Sequence, residues 1–313
     1  SQLVPYTTLF RSAFPRLENE MPGVEVWFQG VPNQKFGERI HTFLSRLIPV
    51  FPWIKHYSLR AETENSFPHG AGIASSASGF GALALCLVEL DDLIQGKATD
   101  TLTFYNKASA VARMGSGSAS RSVYGGYSLW GHSELFPGSS DEYAVEVKDI
   151  HPLFRELSDS ILIVSDEEKS VSSSRGHQAM YNHPYAEARY QDASRNISLL
   201  LRALREGDWD TFSGITEREG LNLHGLMMSS QEPFVLLHPS SLSWIQKIQR
   251  FRYDTKLPLT YTFDAGPNLH LIYPSVHSHA VKGFLQSQSR EPHSQVKCIH
   301  DKIGTGPRKI NEL

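Results

Sequence analysis

The sequence predicts an α+β protein, and three observations carry that expectation. Strand-like runs of β-branched and aromatic residues recur without the regular helix between each pair that a repeating βαβ chain requires. Two long helical patterns, Tyr185 to Glu206 and Trp209 to Met228, follow one another directly. No internal repeat or low-complexity tract interrupts the chain.

From the amino-terminal side, Val24 to Gln29 reads as a strand, and Pro32-Asn33 marks the turn into a helix from about Glu38 to Leu47, with Ile40, Phe43, Leu44 and Leu47 on its apolar face. Tyr57 to Ala61 reads as a second strand. It leads into Asn65-Ser-Phe-Pro-His-Gly-Ala-Gly-Ile-Ala-Ser-Ser-Ala-Ser-Gly79 and the apolar helical stretch Phe80 to Leu90. A helix over Thr103 to Arg113 precedes strands over Val123 to Trp130, Tyr143 to Val147 and Ile161 to Ser165. Between the two long helices, Gly207-Asp208 supplies a stop and then an N-cap. A helix over Ser240 to Arg252 leads into Leu259 to Tyr273, where two alternating runs flank Asp-Ala-Gly-Pro-Asn and predict strand, tight loop, strand.

Composition narrows the function classes. The chain has 313 residues, enough to bury a substantial core in one or two domains. Charged residues make up 20% with a formal net charge of −3, so there is no basic face for nucleic acid and no polybasic membrane patch. No apolar run reaches the ~20 residues of a membrane span. The two cysteines, Cys86 and Cys298, make no metal spacing and are expected as buried reduced thiols, consistent with a cytoplasmic protein. Fourteen histidines include no His-Glu-x-x-His pattern, and structural or surface roles are expected for His69, His177 and His224.

Three segments carry chemistry, and each has a plain alternative. Gly70-Ala-Gly-Ile-Ala-Ser-Ser-Ala77 reads as a phosphate cradle, because small residues let backbone N–H groups converge and the following helix adds its own free N–H groups and positive dipole end. No Lys closes it, so it is not a Walker A loop, and the alternative is close packing of a small-residue helix start. In Arg113-Met-Gly-Ser-Gly-Ser-Ala-Ser-Arg-Ser122, Ser116 and Ser118 can donate to phosphate oxygens and Arg121 can fork onto a carboxylate or phosphate. The alternative there is a helix-ending turn with Gly115 or Gly117 left-handed. Asp264 falls at a strand end, where rigid neighbours suit a catalytic carboxylate; the alternative is an Asx turn bonding its own backbone.

Together the three segments occur in the order and approximate spacing of one family. The chain resembles the mevalonate diphosphate decarboxylases of the GHMP kinase superfamily, whose Gly-Leu-Ala-Ser-Ser-Ala-Ser-Gly loop is matched by Gly72 to Gly79 with Ile73 for Leu. Their Gly-Ser-Gly-Ser-Ala-Cys-Arg-Ser is matched by Gly115 to Ser122 with Ser120 for Cys, and Thr-Phe-Asp-Ala-Gly-Pro-Asn by Thr262 to Asn268 without change. Weaker echoes are Val171-Ser-Ser-Ser-Arg-Gly176, Leu221-Asn-Leu-His224 and Gly304-Thr-Gly-Pro307.

The resemblance implies a GHMP kinase fold: a ribosomal protein S5 domain 2-like domain over 13–153 and a ferredoxin-like domain over 154–313. It implies ATP- and Mg²⁺-dependent decarboxylation of mevalonate 5-diphosphate to isopentenyl diphosphate, with a homodimer as a common assembly. Asp264 would take the hydroxyl proton and Arg121 would clamp the substrate carboxylate. Ser116, Gly117, Ser118, Arg121 and Ser173 would bind substrate. Gly70, Ala71, Gly72, Ile73, Ala74, Ser75, Ser76 and Ala77 would hold ATP phosphates, with Ser75 and Ser76 near the metal. A related kinase or decarboxylase acting on mevalonate 5-phosphate, and an inactive nucleotide-binding fragment, stay open as alternatives. Residues 1–12 match nothing in the family pattern and are expected to be non-native, in place of a first strand and a Lys-Tyr-Trp-Gly-Lys segment. They have no charged start followed by an apolar core, so no signal peptide is expected there.

Overall fold

A computed structural model describes residues 23–65, 75–165, 176, 178–290 and 296–309, together with the backbone of 7–15; at Asn65 and Ser75 it describes the backbone alone. The described residues fall into two compact units, one reaching to Val147 and resuming at Gly304, the other spanning Lys148–Ile303.

In the first unit, strands β1 (Thr7–Pro15), β2 (Val24–Phe28), β3 (Val31–Pro32) and β4 (Tyr57–Asn65) form one sheet in the order β1-β4-β2-β3. β2 and β4 are parallel, joined by helix α1 (Gln34–Leu47), whose cap Asn33 accepts from the Phe36 N–H at 3.0 Å. β1 runs antiparallel to β4, Thr7 opposite Asn65 and Pro15 opposite Tyr57. The sequence pattern anticipated no strand here. Edge pairing runs through backbone groups that any residue but proline supplies, so a segment joins a sheet without the family motif.

Helices α2 (Ser75–Gln95) and α3 (Thr101–Gly115) pack with α1 over Phe43, Leu47, Phe51, Leu83, Leu87 and Val111, each worth about 1.5–3 kcal/mol when fully buried. One charge enters this core. Asp91, 2% exposed, accepts from Trp53 Nε1 at 2.9 Å, Gln95 Nε2 at 2.6 Å and Lys107 Nζ at 2.6 Å, which is the dense pairing a buried carboxylate needs. The short strands β5 (Tyr127–Trp130) and β6 (Ala144–Val147) pair beside it. The expected strand from Val123 is shorter, because Gly117–Val123 forms a 3₁₀ helix.

The second unit is built on an antiparallel sheet of β7 (Leu157–Ile163), β8 (Thr260–Thr262), β9 (Leu269–Pro274) and β10 (Lys297–Lys302), in the order β10-β7-β9-β8. After the single turn α4 (Pro152–Arg155) come α5 (Ala186–Glu206) and α6 (Trp209–Met228), then α7 (Pro239–Thr255) and α8 (Ser278–Gln288). Gly207 adopts φ +82 and Asp208 caps α6 by accepting from the Thr211 N–H at 3.0 Å, as the sequence predicts. Leu269, Leu271 and Tyr273, on one face of β9, pack with Trp244, Ile248, Val281 and Leu285 of α7 and α8. Among the described residues no helix is long and apolar enough to cross a membrane.

Candidate active site

The phosphate-loop residues Gly70 to Ala74 and the Ser75 side chain lie outside the described residues, as do Ser173, His69 and His177. Directly after that loop, α2 begins at Ser75 with no acidic residue in its first turn; Ser76 is exposed and Ala77 buried. Its first N–H groups have no partner within the helix, and the dipole makes that end attractive to an anion.

α2 is held against the second motif by two close approaches. A Cβ on Gly81 would lie 2.9 Å from the Ser122 Cβ, and a Cβ on Gly115 would lie 2.3 Å from the Phe80 ring. The glycines here serve contact. Neither Gly115 nor Gly117 has a positive φ, so the left-handed turn expected as the alternative does not form. Instead α3 ends at Gly115, Ser116 is extended at φ −158, and the 3₁₀ helix begins at Gly117. A Cβ on Gly117 would meet the Trp130 ring at 3.0 Å.

This 3₁₀ helix has an inner and an outer side. Ala119, Ser120 and Val123 are buried. The Ser120 hydroxyl donates to the Gly117 carbonyl at 2.8 Å, and the Ser120 carbonyl accepts from Ser109 Oγ at 2.7 Å. The hydroxyl at the family's cysteine position is therefore used within the loop. Outward, Ser116 Oγ and Ser118 Oγ lie 3.4 Å apart, and Arg121 is exposed. Among the described residues no hydrogen bond or ion pair engages the Arg121 guanidinium, whereas nearby Arg113 is tied to Glu142. Two hydroxyls and a free guanidinium on one short segment, the helix and its capping residue, suit a doubly anionic ligand.

The tail returns to this region. Gly304 O accepts from the Gly126 N–H at 2.8 Å, and a Cβ on Gly125 would stand 2.5 Å from the Thr305 carbonyl carbon. A Cβ on Gly306, at φ +91, would stand 2.9 Å from Gly125 N, so the Gly304-Thr-Gly-Pro307 echo marks a backbone-to-backbone contact.

In the second unit, Asp264 sits where β8 ends, in the loop before β9. It is exposed, and its carboxylate has no hydrogen-bond partner among the described residues, so the Asx turn does not form. Its carbonyl accepts from the Gly266 N–H at 2.8 Å and from His224 Nε2 at 3.0 Å. The far side of the loop is tied by Ser241 Oγ to the Pro267 carbonyl at 2.7 Å and by the Val164 N–H to Asn268 Oδ1 at 2.8 Å. Strand pairing and three side chains thus present one free carboxylate.

The sequence left His224 between a structural and a surface role and named no partner; it is buried. Burial holds its pKa below the usual histidine value, against the opposing effect of its bond to Asp264. A neutral ring with the proton on Nε2 is the donor this geometry requires. On β9, burial would lower His270, but the Asp159 carboxylate at 2.7 Å, together with the charges of Asp264 and Asp301, outweighs it and raises the pKa. Cys86 and Cys298 form no disulfide and are only partly buried, where full burial was expected. Among the described residues no cluster of three or more His, Cys, Asp or Glu side chains could hold a metal ion.

Comparison with known proteins accounts for most of the chain. The family model described as Diphosphomevalonate decarboxylase-like N-terminal domain matches residues 11–144, and that of the Mevalonate 5-diphosphate decarboxylase C-terminal domain matches 160–303. A diphosphomevalonate decarboxylase of Ganoderma lucidum is 32% identical over 276 residues, covering 80% of this chain and 65% of its own length. That of Eremothecium gossypii is 30% identical over 283 residues, covering 86% and 68%. The chain thus spans about two thirds of the length of these curated relatives.

A crystal structure of mevalonate diphosphate decarboxylase from Staphylococcus aureus aligns with 98% of this chain and 86% of that one at TM-score 0.79 and 24% identity. A structure of MDDEF in complex with MVAPP, AMPPCP and magnesium aligns with 96% and 87% at TM-score 0.76 and 24% identity. These likenesses establish the fold, which is the GHMP kinase fold the motifs imply. Both halves match the same enzyme's domains, a relative shares 30% identity over 68% of its length, and the chain belongs to the diphosphomevalonate decarboxylase family.

Proposed function

We propose that the chain catalyses ATP-dependent decarboxylation of mevalonate 5-diphosphate to isopentenyl diphosphate, releasing ADP, phosphate and CO₂. The observation that carries the reading is the free Asp264 carboxylate, held out by a loop whose backbone is clamped on both sides. In the first half of the reaction, Asp264 accepts the proton of the tertiary 3-hydroxyl as that oxygen takes the γ-phosphoryl group. Such assistance is typically worth ~10²- to 10⁴-fold. In the second half, the 3-phosphate departs with its C–O electron pair. The bond to the carboxylate breaks to release CO₂, and its electrons form the new double bond.

Arg121 is assigned to the substrate carboxylate, whose alignment with the departing phosphate governs that cleavage. A planar guanidinium holds a carboxylate in two parallel bonds that the point charge of lysine cannot reproduce. Ser116 and Ser118, facing outward from the 3₁₀ helix, are assigned with the Gly117 backbone to the substrate diphosphate, and Ser173 to the phosphates beside it. The ATP phosphates are assigned to Gly70 through Ala77 at the start of α2. Mg²⁺ suits this donor set, because it is commonly held by hydroxyls, waters and substrate phosphates rather than by a protein cage. Ser75 and Ser76 would hold it, and when bound it neutralises phosphate charge. We place the reaction in the cytoplasm, where cysteines outside disulfides, such as Cys86 and Cys298, stay reduced.

The test is incubation of the chain with Mg²⁺, ATP and mevalonate 5-diphosphate, with ADP and CO₂ quantified together. Equal release is expected, reduced ~10²-fold or more in Asp264→Asn. ADP without CO₂ would identify a kinase instead, and Asp264→Asn at the wild-type rate would remove that residue from the mechanism. Arg121→Lys is expected to lose about tenfold or more in turnover, and parity with wild type would contradict the two-bond clamp.

A further inference from the structure

We infer that His224 is the positioning residue for Asp264: by donating Nε2–H to the Asp264 carbonyl, it fixes the direction in which the carboxylate leaves the loop. The inference rests on the reading of Asp264 as the proton acceptor.

The geometry argues for it at close range. The His224 ring is 1% exposed, with Nε2 3.0 Å from the Asp264 oxygen. A carbonyl only accepts, so the Nε2 tautomer is set. The same oxygen also takes the Gly266 N–H at 2.8 Å, so one lone pair is used by the loop and the other by α6. The ring stands edge-on to Phe263, centroids 4.7 Å apart at 67°, which fixes its rotation as well.

One turn earlier on the same helix face, Gly220 brings α6 against the backbone leading to Asp264. A Cβ there would lie 3.2 Å from Thr262 Oγ1 and 3.3 Å from the Phe263 N–H. Gly220 and His224 therefore seat the residues before and at Asp264 on one rigid helix. The carboxylate makes no hydrogen bond among the described residues, and His270 acts on it by charge alone, so its aim comes chiefly from its backbone. A group whose aim is set that way loses reactivity when the backbone shifts, and a 1 Å misplacement can cost ~10²-fold. Ser241 and Asn268 act at the far side of the loop, which leaves His224 as the side chain bonded to Asp264 itself.

The experiment compares His224→Phe, which keeps the ring shape without a donor, with His224→Gln, whose amide keeps one. Each is made in the wild-type chain and in Asp264→Asn. His224→Phe is expected to lower kcat about tenfold or more with KM for ATP and mevalonate 5-diphosphate within about twofold, and His224→Gln to recover most of the loss. In the Asp264→Asn background the His224→Phe change should add nothing, the non-additivity expected when one residue acts through another. Wild-type turnover in His224→Phe, or a loss carried undiminished into Asp264→Asn, overturns the inference.

A second readout needs no turnover. The ¹³C shift of the Asp264 carbonyl should move in His224→Phe and return in His224→Gln, and no movement overturns the donation. If Asp264→Asn alone turns over normally, the role of Asp264 falls. The positioning role falls with it, while the carbonyl shift reports separately on the hydrogen bond.

Discussion

The two units hold their candidate site loops by opposite means. In the first, the Ser116 to Arg121 segment is fixed by glycines that let surfaces touch: Gly81 on Ser122, Gly115 on Phe80, Gly117 on Trp130, and Gly125 on the returning tail. In the second, the Asp264 loop is fixed by polar side chains that reach backbone groups: His224 to Asp264, Ser241 to Pro267, Asn268 to Val164. Contact by absence of a side chain leaves nothing to titrate or rotate, and fails only when atoms are added. Polar clamps fail when a donor is lost, or when pH changes the protonation of the donor.

The largest effect expected from this difference is at Gly125. An alanine methyl there would stand 2.5 Å from the Thr305 carbonyl carbon and 2.6 Å from Gly306 N, both backbone atoms that cannot rotate aside. Overpacking of this kind costs about 1–3 kcal/mol and occasionally more, and Gly125→Ala is expected at or above the upper end in denaturant unfolding. Gly79→Ala, within α2 with nothing inside 4 Å, is the control and should gain up to about 1 kcal/mol from helix propensity. Equal effects at the two glycines would break the steric half of the comparison.

Next comes Ser241, fully buried, whose hydroxyl donates to Pro267 O at 2.7 Å. Ser241→Ala strands a buried acceptor and is expected to cost about 1–3 kcal/mol. Ser116→Ala should fall within about 0.5 kcal/mol of wild type, since among the described residues its hydroxyl has only Ser118 Oγ, at 3.4 Å. The midpoints of urea unfolding check both, and a Ser116→Ala cost matching that of Ser241→Ala would mean that the first unit also depends on polar clamps.

How much of this was legible in the sequence differs between the units for the same reason. Trp209–Met228 was bounded to the residue because Gly207 and Asp208 write a stop and a cap locally. Asp264 was legible through an unbroken motif between two alternating runs. The Gly117–Val123 helix was not, because its buried set of Ala119, Ser120 and Val123 is too small to write a hydrophobic period. The steric role of Gly115 was not legible, and a left-handed turn stood as the plain alternative there, since a glycine needed for contact and one needed for positive φ look alike until the neighbour is placed. The partner of His224 lies 40 residues along the chain, a tertiary fact to which helix spacing gives no clue.

The smallest effect is in pH, and it separates two histidines of the same unit. Burial depresses the folded pKa of His224 below 6.5, while the unfolded chain keeps the ordinary value. Below 6.5 the unfolded state therefore binds more protons, and stability is lost as pH falls toward the folded value. At His270, burial acts the same way, but the Asp159, Asp264 and Asp301 carboxylates together prevail and raise the folded pKa. Its contribution is full below 6.5 and lost as pH rises through the raised value. Urea unfolding at pH 5 and pH 8 should then give opposite differences. Relative to His224→Gln, wild type loses stability on acidification; relative to His270→Gln, it gains. A single sign for both would mean that the carboxylates around His270 do not overcome burial there, or that the His224 ring is charged as it holds the Asp264 carbonyl. In the second case the polar clamp would be an ionic one, and its strength would vary with salt as well as with pH.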